Sequence, residues 1–184
     1  MISKKFWSQQ AETLGKNILG KKLTKNSLEG IISEVEVYKG ENDPASHAYK
    51  GKTKRNRPMF DEGGIIYVYL IYGIHYCFNI SLGNQVGAIL IRSIIPTKGI
   101  EKMKINRKTK DIKNLSNGPG KLTQALQIGK EYNGKSLYDK SNDIIIKDGT
   151  QDFDYTKTSR IGINKGKDKK LRFVITNIDP KYYS

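Results

Sequence analysis

The sequence has a single cysteine, Cys77, in 184 residues. No disulfide can close within the chain, and a cluster of thiolate ligands is excluded. Cys77 lies in the apolar run HYCFNIS, where a buried, inert thiol is expected. Only two histidines occur, His47 and His75, without HExxH-like spacing, so no metal site is expected. No run approaches the ~18 consecutive apolar residues of a membrane-crossing helix. The N-terminal MISKKFWSQQ lacks the apolar centre of a signal peptide or anchor. The expected location is cytoplasmic, nucleoid-associated if the source is bacterial, with no membrane partner. Acids are scarce as well: 18 Asp and Glu against 33 Lys and Arg leave +15. That excess favours a polyanion, nucleic acid before an anionic membrane surface, unless it is only a solubilising lysine coat.

What is present fits one domain, residues 1–184, long enough to bury a core without staples. Helical spacing of Phe6, Trp7, Ala11, Leu14, Ile18 and Leu19 predicts a helix over 3–19, capped by Ser3 and ended by Gly20. Residues 29–38 alternate as a strand, with Ile31, Val35 and Val37 on one face. Ile32, Glu34, Glu36 and Tyr38 share the other. Asn42-Asp43-Pro44 predicts a turn. Strands are predicted at 65–72, 75–81 and 87–94, with Gly73 interrupting the first pair and Pro96 closing the last. A short basic helix is expected at 98–106, and Pro119 and Lys121 open another through LTQALQI. Further strands are plausible at 143–147, 159–163 and 171–176. The fold class is α+β: a curved, mainly antiparallel, open-barrel-like sheet with flanking helices.

Three features carry possible chemistry. Glu34, Glu36 and Tyr38 share a strand face, which is either an ordinary solvated edge or a functional one. In GAILIRSI, Arg92 faces away from Ile89 and Ile91, and must find a carboxylate, a phosphate or water. It is a structural ion-pair partner of Glu36 or another acid, or it orients a water or phosphate near that acid. Tyrosine is abundant, with 11 residues, and Tyr67, Tyr69, Tyr72 and Tyr76 cluster. Rings beside a basic surface suit base stacking, although tyrosine also fills ordinary cross-strand pairs. Tyr72 adjoins Gly73, where the chain turns and a ring can protrude. Lys50, Lys52, Lys54, Arg55 and Arg57 form a loop suited to phosphate or simply to water. Cations, rings and one potentially buried carboxylate together suit an enzyme acting on a nucleic-acid base better than a passive binder.

EVEVYKGENDPASH, RNRPMF, GGIIYVYLIYGIHYCFNIS, GAILIRSI and LSNGPGKLTQAL occur in that order, and KKLRFVI follows near the C-terminus. In this arrangement the chain, from about Phe6 to Ile175, resembles the mammalian-type alkyladenine (3-methyladenine) DNA glycosylases. The resemblance implies hydrolysis of the N-glycosidic bond of alkylated or deaminated purines, such as 3-methyladenine and hypoxanthine, after base flipping. It implies double-stranded DNA with damaged purines as the partner, a monomer, no metal, no cofactor, and an abasic product with the strand intact. Carried over by position, Glu36 corresponds to the base that activates water and Arg92 to the arginine that helps hold it. Tyr38, His47 and Tyr69 match residues enclosing the flipped base. Asn79 matches the asparagine that discourages the amino group of guanine. Tyr72 matches the tyrosine inserted into the duplex. Lys52, Arg55 and Lys121 are expected at the DNA backbone, with Lys52 standing where many relatives carry arginine. The backbone near Arg160 to Asn164 is expected to line the pocket, because the family places its late pocket wall there. The alternative is a non-catalytic, basic nucleic-acid-binding module.

Overall fold

The structure, a computed structural model, describes residues 2–178. It is α+β. Eight strands form one curled, half-barrel sheet in which every pairing between strands is antiparallel. The strands are β1 (Lys22–Lys25), β2 (Leu28–Lys39), β3 (Ile66–Ile71), β4 (His75–Ser81), β5 (Gly87–Lys98), β6 (Ile144–Lys147), β7 (Phe153–Thr158) and β8 (Arg172–Ile178). The order along the sheet is β3-β4-β5-β2-β1-β6, and β7 joins through β8, which pairs with β2. Four helices flank it: α1 (Lys4–Trp7), α2 (Ala11–Asn17), α3 (Ile100–Arg107) and α4 (Pro119–Leu126).

The two-residue alternation separates two faces. Val35, Val37, Ile66, Val68, Phe78, Ile80, Ile89 and Ile91 enter the main core, with Leu14, Ile18, Leu122 and Leu126 of the helices. The intervening residues face the other way, around a smaller cluster of Ala48, Met59, Tyr67 and Ala88. Register aligns these second-face residues across the sheet. Tyr67 is opposite Asn79, Asn79 opposite Leu90, Leu90 opposite Glu36, and Glu36 opposite Arg172. One row of the ladder therefore carries side chains from five strands onto one patch.

Four sequence expectations need correction. The helix over 3–19 is two short helices. The Trp7 carbonyl accepts from Gly83 N–H at 2.8 Å instead of continuing the helix. A Cβ at Gly83 would stand 3.0 Å from that carbonyl, tighter than an ordinary contact, so the close approach favours glycine. Ile32 is not on the face of Glu36. Register shifts on both sides of Glu34 make a bulge that turns Ile32 into the main core beside Val35 and Val37. Pro96 does not close β5, which continues to Lys98. A shift beside Gly30, paired with Pro96, provides the irregularity a proline needs inside a sheet. Residues 159–163 are not a strand: β7 ends at Thr158, and Arg160 is drawn into a buried ion pair. No helix among the described residues is long and apolar enough to cross a membrane.

Candidate active site

Above that patch lies a cavity of about 340 Å³. Its floor is sheet: Tyr67, Tyr69, Cys77, Asn79, Ala88, Leu90, Arg92 and Tyr38. Its walls are loops, with His47, Arg55 and Met59 on one side, Ile161, Gly162 and Ile163 on another, and Tyr72 and Pro119 at the rim. The sequence expectation that backbone within 160–164 lines the pocket matches this geometry.

Glu36 has no exposed surface. A buried carboxylate is costly unless each oxygen is compensated. Oε2 accepts from the Tyr38 hydroxyl at 2.8 Å, and Oε1 accepts from the Ile161 backbone N–H at 2.7 Å. Arg92 Nη1 stands 3.4 Å from Oε1. Arg92 donates its Nε to Glu34 at 2.7 Å, and Arg172 donates to the same Glu34 oxygen at 2.6 Å. Arg92 is thus shared between two acids, and both structural and functional readings of it remain compatible with the geometry. Burial works against its charge, but Glu36 and Glu34 outweigh it and hold the guanidinium pKa above its usual value. Burial, then the adjacent Glu36 charge, pushes the Tyr38 phenol far up, so it remains a donor.

His47 contacts two of the pocket tyrosines, Tyr67 and Tyr69. Its Nδ1 lies 2.9 Å from the Tyr67 hydroxyl, and its ring meets Tyr69 edge-on at 4.6 Å. Desolvation of the ring, then the Arg55 charge, lowers the His47 pKa, so the imidazole is neutral at physiological pH. Burial pushes Tyr67 up to about 12, and burial, then Cys77, pushes Tyr69 up as well. Burial also raises the Cys77 thiol, which suits an unreactive side chain. Asn79 Nδ2 donates to the Tyr67 and Cys77 carbonyls at 2.9 and 3.3 Å, which locks its amide in one orientation.

The β3–β4 hairpin projects at the rim. Ile74 N–H bonds to the Ile71 carbonyl across Tyr72 (φ 53°) and Gly73 (φ 71°), the pattern of a type I′ turn. Gly73 suits that turn; a tyrosine there is strained. Tyr72 is 81% exposed, and Leu70 and Ile74 are exposed beside it. Arg55 lies over the Tyr69 ring at 5.4 Å and reaches the Leu70 carbonyl. Lys52 lies outside the pocket, over the Phe60 ring at 5.9 Å. Lys121, also outside, donates to Asn114 and Asn117.

Sequence reasoning missed several organising residues. Asn56, in the middle of the basic loop, is buried. Its amide donates to the His47 and Gly51 carbonyls at 2.8 and 2.9 Å, and its oxygen accepts from Thr53 N–H. The loop is therefore built, not merely solvated. Arg172, the sharing of Glu34 between Arg92 and Arg172, and the pairing of Asp43 with Arg160 were missed too, because the partners are distant in sequence.

Comparison with known proteins agrees with these features. The methylpurine-DNA glycosylase family (MPG) matches residues 5–179. A protein of Ehrlichia chaffeensis, named "Putative 3-methyladenine DNA glycosylase", is 41% identical over 97% of this chain and 94% of its own length. One of the same name from Francisella tularensis is 44% identical over 90% of this chain and 88% of its own. Another, from Carboxydothermus hydrogenoformans, is 41% identical over 96% of each.

Proposed function

The chain belongs to the methylpurine-DNA glycosylase family and is a DNA glycosylase; on that premise we propose that it excises alkylated or deaminated purines, 3-methyladenine and hypoxanthine among them, from flipped-out nucleotides. The observation that carries this reading is Glu36, fully buried behind the pocket-lining Tyr38, Arg92 and Ile161, bonded through both oxygens and faced by Arg92. A duplex hides the glycosidic carbon, so the nucleotide rotates out at a cost of a few kcal/mol, least for a poorly paired or damaged base. Tyr72 fills the gap in the stack. Tyr38, His47 and Tyr69 enclose the base. The Tyr67 hydroxyl, beside the Arg55 cation, donates a hydrogen bond to Nδ1 of the neutral His47, which leaves Nε2–H as a donor for the base. Asn79, unable to rotate, rejects an exocyclic amino group by its fixed position.

The reaction breaks the bond between C1′ and the purine nitrogen. The sugar develops oxocarbenium character, and the electron pair leaves with the base. Glu36 stabilises that charge and takes a proton from water as the water oxygen bonds to C1′. Arg92 holds the water beside Glu36. A cationic purine leaves as the neutral base, whereas hypoxanthine needs a proton supplied by water or a pocket hydrogen bond. Lys52, Arg55 and Lys121 grip phosphates. The protein acts as a single domain and a monomer, and the strand stays uncut.

The test is direct. Purified protein is incubated with duplexes each carrying one lesion, and free base is measured chromatographically. Released 3-methyladenine or hypoxanthine, with strands cleaved only after alkali, is expected. Tight binding without release from any lesion would leave only a nucleic-acid-binding module.

A further inference from the structure

The donor to Glu36 Oε1 is the amide of Ile161, on an irregular loop with no strand to hold it. Something else must fix it. The preceding side chain, Arg160, turns the opposite way and is completely buried. Its Nη1 and Nη2 bond to the two carboxylate oxygens of Asp43, at 2.5 and 2.7 Å. Nη1 also donates to the Val37 carbonyl at 2.9 Å, and the guanidinium lies 4.6 Å from the centre of the Tyr38 ring. Asp43 in turn accepts from Lys39 N–H and Ala45 N–H at 3.1 and 3.3 Å. Val37 and Tyr38 directly follow Glu36 on β2. The pair therefore ties three parts together: the strand carrying the carboxylate, the turn leading to His47, and the loop delivering the amide.

Stability alone does not explain such a pair. Desolvation offsets most of the Coulomb attraction of a buried ion pair, and apolar residues of equal volume often do as well. Arg160 Nε is buried with no partner, a further cost. What the pair supplies is register.

We propose that Arg160 and Asp43 are positioning residues that set the Ile161 amide against Glu36 and the Tyr38 ring against the base. The proposal rests on reading Glu36 as the group that activates water. Neither residue touches the reacting atoms. Affinity for a duplex that presents no base depends on the hairpin and the cations, which the pair does not contact. Its loss therefore falls on the chemical step.

Arg160→Lys keeps the charge and removes the fork. Three quantities are compared with wild type: hydrogen exchange at the Ile161 amide, single-turnover base release with enzyme in excess, and affinity for a duplex carrying a stable abasic analogue. Exchange is expected to accelerate, and the single-turnover rate of the folded fraction to fall by about 10- to 100-fold, as small misplacements do. Affinity is expected to stay within about twofold, since the phosphate contacts that dominate it are untouched. Retained exchange protection would overturn the proposal. So would lost protection with an unchanged rate, or weaker affinity with the saturated rate intact. Should Arg160→Lys not fold, Asp43→Asn is judged by the same three readouts. If wild type releases no base, the functional reading fails, whereas protection at Ile161 still decides whether the pair holds the amide.

Discussion

A carboxylate without exposed surface survives only if each of its oxygens finds a partner, and Glu36 finds a hydroxyl, an amide and a guanidinium within 3.4 Å. Asp43 follows the same rule with Arg160. Burial alone would raise the Asp43 pKa, but the Arg160 hydrogen bonds and charge overcome it and hold it below its ordinary 3.8. The sign of the pH effect follows. The unfolded chain takes up this proton at higher pH than the folded chain does. The stabilisation is fully present above the unfolded value and is lost as pH falls through the lower folded one. Asp43→Asn should therefore be less stable than wild type near neutrality, by roughly 3–5 kcal/mol if the arginine is left unpaired. Urea melts at about pH 6 and about pH 3 should show the gap narrowing on the acid side, because protonation removes the same charge from the wild type. A gap independent of pH would mean that Asp43 acts through shape alone.

At the scale of elements, the β3–β4 hairpin presents a ring to solvent on a backbone that disfavours it. A non-glycine residue in the left-handed region costs roughly 1–2 kcal/mol. An exposed apolar side chain in that conformation gains nothing from the isolated fold, which agrees with a role in contact with DNA. Tyr72→Ala should leave the melting temperature within a few degrees of wild type, yet weaken binding to a lesion-bearing duplex by about 1–3 kcal/mol, the value of one stacked ring. Thermal melts and fluorescence titration check both halves. A large fall in melting temperature would make Tyr72 a structural residue. The hairpin was legible in the sequence because Tyr-Gly punctuates an alternating run. The alternation also placed Glu36 and Tyr38 on one face and Arg92 opposite Ile89 and Ile91. It failed for Ile32, because a bulge changes the phase without changing the residues that spell the pattern. It failed for residues 3–19, because Gly83, far along the chain, captures the Trp7 carbonyl. Helical periodicity carries no information about such a partner. Asp43 read as a turn residue and Arg160 as part of a strand and pocket wall, and their pairing was not legible, since their 117-residue separation is bridged only by the fold.

Across the whole molecule, in the proposed reading the excess of +15 and the protruding hairpin concern grip, while the buried carboxylate concerns chemistry. The main core lies on one face of the sheet, and the second face carries the cavity, so the site rests on a rigid floor with loop walls. Charge composition suggested the partner, but the pocket needed the register of four strands, which composition does not contain. The two functions should separate on substitution at one position. Glu36→Gln keeps the volume and one acceptor oxygen for the Ile161 amide, turns the other position into a donor that the Tyr38 hydroxyl can accept by rotating, removes the charge, and leaves the hairpin and basic loop unaltered. The measurement is affinity for a hypoxanthine duplex alongside single-turnover base release. Affinity equal to wild type with release slowed by about 10²–10⁴-fold, the usual contribution of a general base, is the expected result. Release at the wild-type rate would contradict the assignment of Glu36 and the account built on it.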